Sequence, residues 1–203
     1  MKIICIGRNY REHAKEMKSE TPQVPVFFMK PDTALLRNNQ PFYYPDFTKE
    51  LNYELEVVLR INRLGRNISK RFANRYYDAL TLGIDFTARD LQQECKQKGL
   101  PWEKAKAFDY SAPIGDFILK DEFPDIFNID FRLEINDEVV QKGNTSDMIF
   151  SYDELISYVS SFVTFRTGDL LFTGTPAGVG KVNIGDRLKA YMGDKLMLDF
   201  FVK

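Results

Sequence analysis

Leu51-Asn52-Tyr53-Glu54-Leu55-Glu56-Val57-Val58-Leu59-Arg60-Ile61 carries the clearest pattern in the chain. Leu51, Tyr53, Leu55, Val57, Leu59 and Ile61 fall on one side of a period of two. Asn52, Glu54, Glu56, Val58 and Arg60 fall on the other, the mark of a β-strand with a polar face. Working outward, the short apolar runs at residues 3–6 and 26–29 read as further strands, the second stopped by Lys30-Pro31. Residues 131–135 alternate into Asn136-Asp137, a hairpin turn. The tail adds strands at 170–173, 187–191 and 196–202, the last two joined at Met192-Gly193-Asp194.

Helical signals are fewer. Asn9 reads as the N-cap of a helix reaching Met17. Residues 69–82 place Phe72, Ala73, Tyr76, Tyr77 and Leu80 at helical spacing, with a turn at Gly83. Thr87 and Asp90 open a helix that stops at Gly99 before Pro101, and Ser151-x-x-Glu154 is a capping box for a helix to about Phe162. With strands outnumbering helices, the expectation is α+β, predominantly β, and 203 residues suit a single domain over 1–203.

Composition narrows the function. Hydrophobic residues make up 44%, with 17 Phe and 10 Tyr, enough to build a core and exclude disorder. Lys plus Arg (28) against Asp plus Glu (29) leaves a net charge of −1, which provides no field for nucleic acid. No stretch approaches the roughly 18 apolar residues of a membrane helix. The single histidine, His13, excludes a His-rich metal cage, and Cys5 and Cys95 stand apart with no zinc or disulfide spacing, so a reducing, cytoplasmic location is expected.

Five groupings hold chemistry. Glu54 and Glu56 leave one strand face with Cα atoms roughly 7 Å apart, close enough to share a cation, although a solvated face balanced by Arg60 satisfies the same pattern. Asp85 stands at a helix entrance, as a cap or as a third hard oxygen donor suited to Mg²⁺ or Mn²⁺. His13 and Glu16, three apart on a helix, form either a surface pair or a base with its orienting carboxylate. Lys104 and Lys106 follow Trp102 in a basic segment that reads as exposed unless one ammonium meets substrate. Thr173-Gly174-Thr175-Pro176-Ala177-Gly178-Val179-Gly180-Lys181 is not a phosphate loop, since Thr175 and Val182 stand where that motif needs Gly and a hydroxyl. A glycine-rich turn remains, able to hold a carboxylate.

In order, Gly7-Arg8-Asn9-Tyr10-x-x-His13-x-x-Glu16, Phe28-x-Lys30-Pro31, Tyr53-Glu54-x-Glu56, Asp85-x-Thr87-Ala88-Arg89-Asp90-x-Gln92, Lys106-x-Phe108-Asp109, Gln141, Gly168-Asp169 and Thr173-Gly174-Thr175-Pro176-x-Gly178-Val179-Gly180 resemble the fumarylacetoacetate hydrolase superfamily, in its compact acylpyruvate hydrolase branch. The resemblance runs nearly end to end. It implies a mixed β-sandwich roll with a few peripheral helices, assembled as a homodimer. It implies a site where Glu54, Glu56 and Asp85 hold Mg²⁺ or Mn²⁺, with Ca²⁺ a further hard cation of the same class. His13 and Glu16 are then the water-activating dyad on a lid helix, Lys106 a catalytic contact, and Arg8, Arg89, Gln92 and Thr175 the substrate-binding residues. The segment 32–39 is expected to wall the pocket. The implied reaction is hydrolysis of a carbon–carbon bond in a 2,4-dioxo acid, with the departing pyruvate enolate stabilised by the cation. Oxaloacetate decarboxylation or tautomerisation, or isomerisation of a related 2-oxo diacid of the 2-hydroxyhepta-2,4-diene-1,7-dioate type, uses the same parts and is the alternative.

Overall fold

A computed structural model describes residues 1–17 and 19–203. The strands are β1 (Ile3–Gly7), β2 (Val26–Lys30), β3 (Leu35–Leu36), β4 (Leu51–Tyr53), β5 (Leu55–Ile61), β6 (Tyr77–Ile84), β7 (Thr87–Ala88) and β8 (Ala112–Pro113). They continue with β9 (Ile118–Leu119), β10 (Asp130–Ile135), β11 (Glu138–Asn144), β12 (Leu170–Phe172), β13 (Gly180–Lys181), β14 (Arg187–Met192) and β15 (Lys195–Phe201). The α-helices are α1 (Arg11–Glu16), α2 (Arg89–Lys98), α3 (Glu103–Lys106) and α4 (Tyr152–Phe162). This is the expected α+β architecture, predominantly β.

A six-stranded sheet in the order β2-β1-β12-β5-β6-β9 packs through β6 against β14 and β15 of a four-stranded sheet, β11-β10-β14-β15. Ile4, Leu55, Val57, Leu59, Leu80, Leu82, Leu188 and Ala190 fill the space between and are fully buried. The register decides where function sits. β1 and β12 run parallel, Cys5 beside Phe172, while β5 runs antiparallel to both β12 and β6, with Leu55 beside Ile84. The C-terminal ends of β1, β12 and β6 and the start of β5 therefore meet at one edge of the main sheet.

Several local expectations change. The alternating stretch from Leu51 to Ile61 is two strands, broken at Glu54, and Arg60 pairs with Asp78 through two 2.9 Å bonds rather than with the glutamates. Residues 69–82 form a 3₁₀ segment, Lys70–Arg75, and then strand β6, with Gly83 inside the strand and not in a turn. β6 is a central strand buried on both faces, so it lacks the polar alternation that marks a strand in sequence. Asn9 caps no helix. Its amide donates to Thr173 O (2.8 Å) and Phe150 O (3.1 Å) and accepts from Phe150 N (2.8 Å), tying β1 to the end of β12. Thr87 lies in β7, and α2 starts after Ala88. The Ser151–Glu154 capping box, the Gly99 cap (φ 63°) and the Asn136-Asp137 turn (φ 53° and 68°) form as read.

Candidate active site

The break at Glu54 is what builds the site. Glu54 O accepts from Asp85 N (2.8 Å), which brings the end of β6 alongside, and leaves Leu55 without a strand partner on its other side. Gln141 and Thr175 supply one. Leu55 N donates to Gln141 Oε1 (3.0 Å), Thr175 Oγ1 donates to Leu55 O (2.8 Å), and Gln141 Nε2 donates to Thr175 Oγ1 (2.8 Å). The Thr175 hydroxyl is thus committed to backbone and to Gln141. Gln141, for which the sequence offers no role, is the brace of the strand that presents both glutamates.

Glu54, Glu56 and Asp85 are buried, and one oxygen from each lies within 4.8 Å of the others. Asp85 caps no helix, since α2 begins at Arg89. Lys106 Nζ donates to Glu54 Oε2 and Asp85 Oδ2, both at 2.8 Å, and Arg89 Nη2 donates to Glu54 Oε1 at 2.7 Å. Lys30 Nζ stands 2.8 Å from Asp85 Oδ1, off the hydrogen-bonding direction. Burial pushes the Glu54 carboxyl up, but Lys106 and Arg89 overcome it and hold the group well below the usual carboxylate range. Glu56 goes the other way: burial, then Asp85 and Glu54, raise it, and the 2.7 Å bond from Gly174 N opposes only in part. Lys106 is raised above its ordinary value, since Asp85 and Glu54 outweigh the burial that disfavours its charge. Three buried oxygen donors within 4.8 Å of one another, with no sulfur or imidazole in the cluster, fit a divalent cation of the magnesium or manganese class.

These carboxylates form the floor of a cavity of about 320 Å³. Arg8, His13, Arg89, Gln92, Lys106 and Thr175 line it, so of the residues marked in the sequence only Glu16 lies off its wall. Glu16 stands behind His13, its Oε2 3.2 Å from Nδ1, and accepts from Gly178 N at 3.1 Å. Arg89 Nη1 also donates to Gln92 Oε1 (2.7 Å). The segment 32–39 is not a wall. It turns away so that β3 pairs with β8, and the outer wall is instead built by Phe28, Lys96 and Trp102.

Lys30 is the second residue whose role the sequence does not show. Its side chain is fully buried, and its ammonium donates to Ser111 Oγ (2.9 Å) and to the carbonyls of Lys106, Phe86 and Ser111. It fastens the α3 segment that carries Lys106 to the strand end that carries Asp85.

No helix among the described residues is long and apolar enough to cross a membrane. Comparison with known proteins gives a consistent picture. Bovine "Oxaloacetate tautomerase FAHD1, mitochondrial" is 43% identical over 201 residues, 99% of this chain and 91% of its own length. "Oxaloacetate decarboxylase, mitochondrial" from Dictyostelium discoideum is 41% identical over 189 residues, 93% of this chain and 87% of its own. Both names place those relatives in mitochondria, whereas the cysteine pattern of this chain led to the cytoplasm. Fumarylpyruvate hydrolase from Pseudomonas aeruginosa, solved in complex with Mn²⁺ and pyruvate, superposes with a TM-score of 0.94 at 35% identity, covering 100% of this chain and 89% of its own. The family described as fumarylacetoacetate (FAA) hydrolase C-terminal matches residues 2–198, and the chain belongs to it.

Proposed function

We propose that the protein is a divalent-metal enzyme acting on oxaloacetate or a closely similar 2-oxo diacid, interconverting its keto and enol forms and releasing its distal carboxyl as CO₂. The observation that carries this is the buried Glu54–Glu56–Asp85 cluster, in a chain whose relatives at 41–43% identity are named for oxaloacetate chemistry. A cation held by the three carboxylates supplies Lewis-acid polarisation of a chelated 2-oxo acid. The chain's own groups do the rest. Lys106, Arg89 and Lys30 hold the carboxylates in one geometry, and Phe28, Val26 and Trp102 keep the cavity wall apolar. With Nδ1–H of His13 donated to Glu16, Nε2 is the ring position left to take a proton from the carbon beside the 2-oxo group and return it to oxygen.

Hydrolysis of acylpyruvates, the leading expectation from sequence, becomes the second reading. The His13–Glu16 pair on the cavity and the fold shared with a fumarylpyruvate hydrolase favour it. The deciding experiment gives oxaloacetate and acetylpyruvate to the purified chain with Mg²⁺ or Mn²⁺. Enol conversion or CO₂ from the first, with slow or no cleavage of the second, is expected; rapid acetate release from acetylpyruvate with oxaloacetate untouched reverses the order. In His13→Ala, proton transfer and hydrolysis should fall about 10²-fold or more while decarboxylation, which needs no base at carbon, persists.

A further inference from the structure

Two cations on the cavity wall have no carboxylate partner among the described residues. Glu54 and Asp85 engage Arg89, Lys106 and Lys30 at the floor, but among the described residues no carboxylate is paired with Arg8 or Lys96. Both line the same cavity. Arg8 follows β1 at φ 59°, a left-handed conformation that is costly for a residue with a Cβ.

Lys96 is placed by helix geometry. Arg89, Gln92 and Lys96 stand at i, i+3 and i+7 along α2, one stripe on one face, so the cationic end of the stripe climbs about 10 Å from the Glu54 contact toward the mouth. Its ammonium stands 5.6 Å from the centre of the Trp102 ring, while Lys106 Nζ stands 5.2 Å from that of Phe28, and the two rings pack with centroids 6.2 Å apart. Although Lys96 is exposed overall, desolvation of its ammonium against the cavity wall, then the nearby charges of Arg89, Lys106 and Arg8, disfavour its charge, with Glu54 opposing. A basic group kept where neighbouring cations repel it gains most from an anion arriving between them.

We propose that Lys96 and Arg8 form a subsite for the distal carboxylate of a 2-oxo diacid, making Lys96 a specificity-determining residue that separates diacids from 2-oxo acids ending in a neutral group. The inference rests on the function proposed above for the carboxylate floor, and adds the part of the substrate that the floor does not reach. It carries a chemical consequence. Loss of CO₂ breaks the bond between the distal carboxyl and its neighbouring carbon, leaves the electron pair on the 2-oxo fragment and removes negative charge from the subsite. Cations that favour the ionised carboxylate therefore oppose that step relative to proton transfer.

The test compares L-malate with L-lactate, unreactive 2-hydroxy acids that share the chelating end and differ in the distal carboxylate. Binding to the full chain loaded with Mg²⁺ is measured by calorimetry for wild type, Lys96→Met and Lys96→Arg. Wild type should bind malate about tenfold tighter than lactate. Lys96→Met should bring that ratio close to one with lactate affinity retained, and Lys96→Arg should restore most of it. A ratio unchanged in Lys96→Met, or equal losses for both acids, overturns the subsite. With oxaloacetate, the share lost as CO₂ relative to enol conversion should rise in Lys96→Met; a share that holds or falls overturns the consequence drawn for decarboxylation. If wild type does not turn over oxaloacetate at all, the proposed function fails, and the malate-to-lactate ratio still decides the subsite on its own.

Discussion

Lys30 Nζ and Asp85 Oδ1 lie 2.8 Å apart with both side chains sealed from solvent, on the side of the carboxylate opposite the Lys106 contact. Removing one member of such a pair strands the other, which costs far more than the pair contributes. Lys30→Met, of similar length, is expected to lose about 3–5 kcal/mol in urea denaturation. A loss below about 1 kcal/mol would show that Asp85 needs no fixed partner.

Glu56→Gln removes one of three buried like charges, so the cation-free protein should be at least as stable as wild type. Its response to metal is the discriminating result. A divalent cation at a hundredfold excess over its dissociation constant should stabilise wild type by about 2.7 kcal/mol and the variant by far less, read as a shift in melting temperature. Equal shifts would place the cation elsewhere.

Gly174 and Gly185 have the same φ, 98°, but different surroundings. A Cβ on Gly174 would stand 2.6 Å from the Asn9 Cβ, whereas nothing lies within 4 Å at Gly185. Both Ala variants carry backbone strain of about 1–3 kcal/mol. Gly174→Ala should lose more, and only that variant should weaken cation binding, because its N–H holds Glu56. Matching stability losses in the pair would refute the close approach.

Asp90 accepts from Thr48 Oγ1 (2.6 Å), Lys49 N (3.0 Å) and Leu91 N (2.9 Å), pinning the start of α2 to the loop that leads into β4. The slight burial of the carboxyl would raise it, but the bonds from Lys49 N and Thr48 prevail and lower it below the ordinary aspartate value. A lowered folded value means stability that is present above the unfolded pKa and lost as pH falls through the folded one. Asp90→Asn should therefore cost about 1 kcal/mol near neutral pH, small because the group is largely solvated, and the gap to wild type should close in acid below about pH 4. A gap independent of pH would mean that the charge is not what matters.

What the sequence makes legible here is what its near neighbours decide. Ser151 N and Oγ both meet Glu154 Oε2 at 2.8 Å, three residues on, and Asn136 and Asp137 turn a hairpin by their own backbone preferences. Asn9 has the same capping chemistry, yet its amide is taken by groups at 150 and 173, beyond the reach of any local pattern. Lys30 is similar: a strand end before proline in sequence, a buried clasp once residues 85, 106 and 111 arrive. The helical spacing over 69–82 straddles two elements, Phe72 and Ala73 lying in the 3₁₀ segment and Tyr77 and Leu80 in β6, a strand covered on both faces where Gly83 leaves room for the Phe172 ring 2.7 Å from its would-be Cβ. The carboxylates, His13 and the pocket arginines stand in short motifs whose order along the chain marks them; Gln141 and Lys30 stand in the same motifs, but their roles lie in contacts with residues distant in sequence.

The parallel pairing of β1 with β12 joins residues 167 positions apart, as in the bond from Lys2 N to Asp169 Oδ1. Closing so large a loop comes late and slowly, because its entropy must be lost before its contacts form. During synthesis the helix bearing His13 emerges long before Gly174 and Thr175, which fix Glu56 and its strand. A nascent chain stalled before β12 thus holds both glutamates, the aspartate and the histidine without the strand that aligns them, so chemistry at this site begins only once β12 and the turn after it have been made.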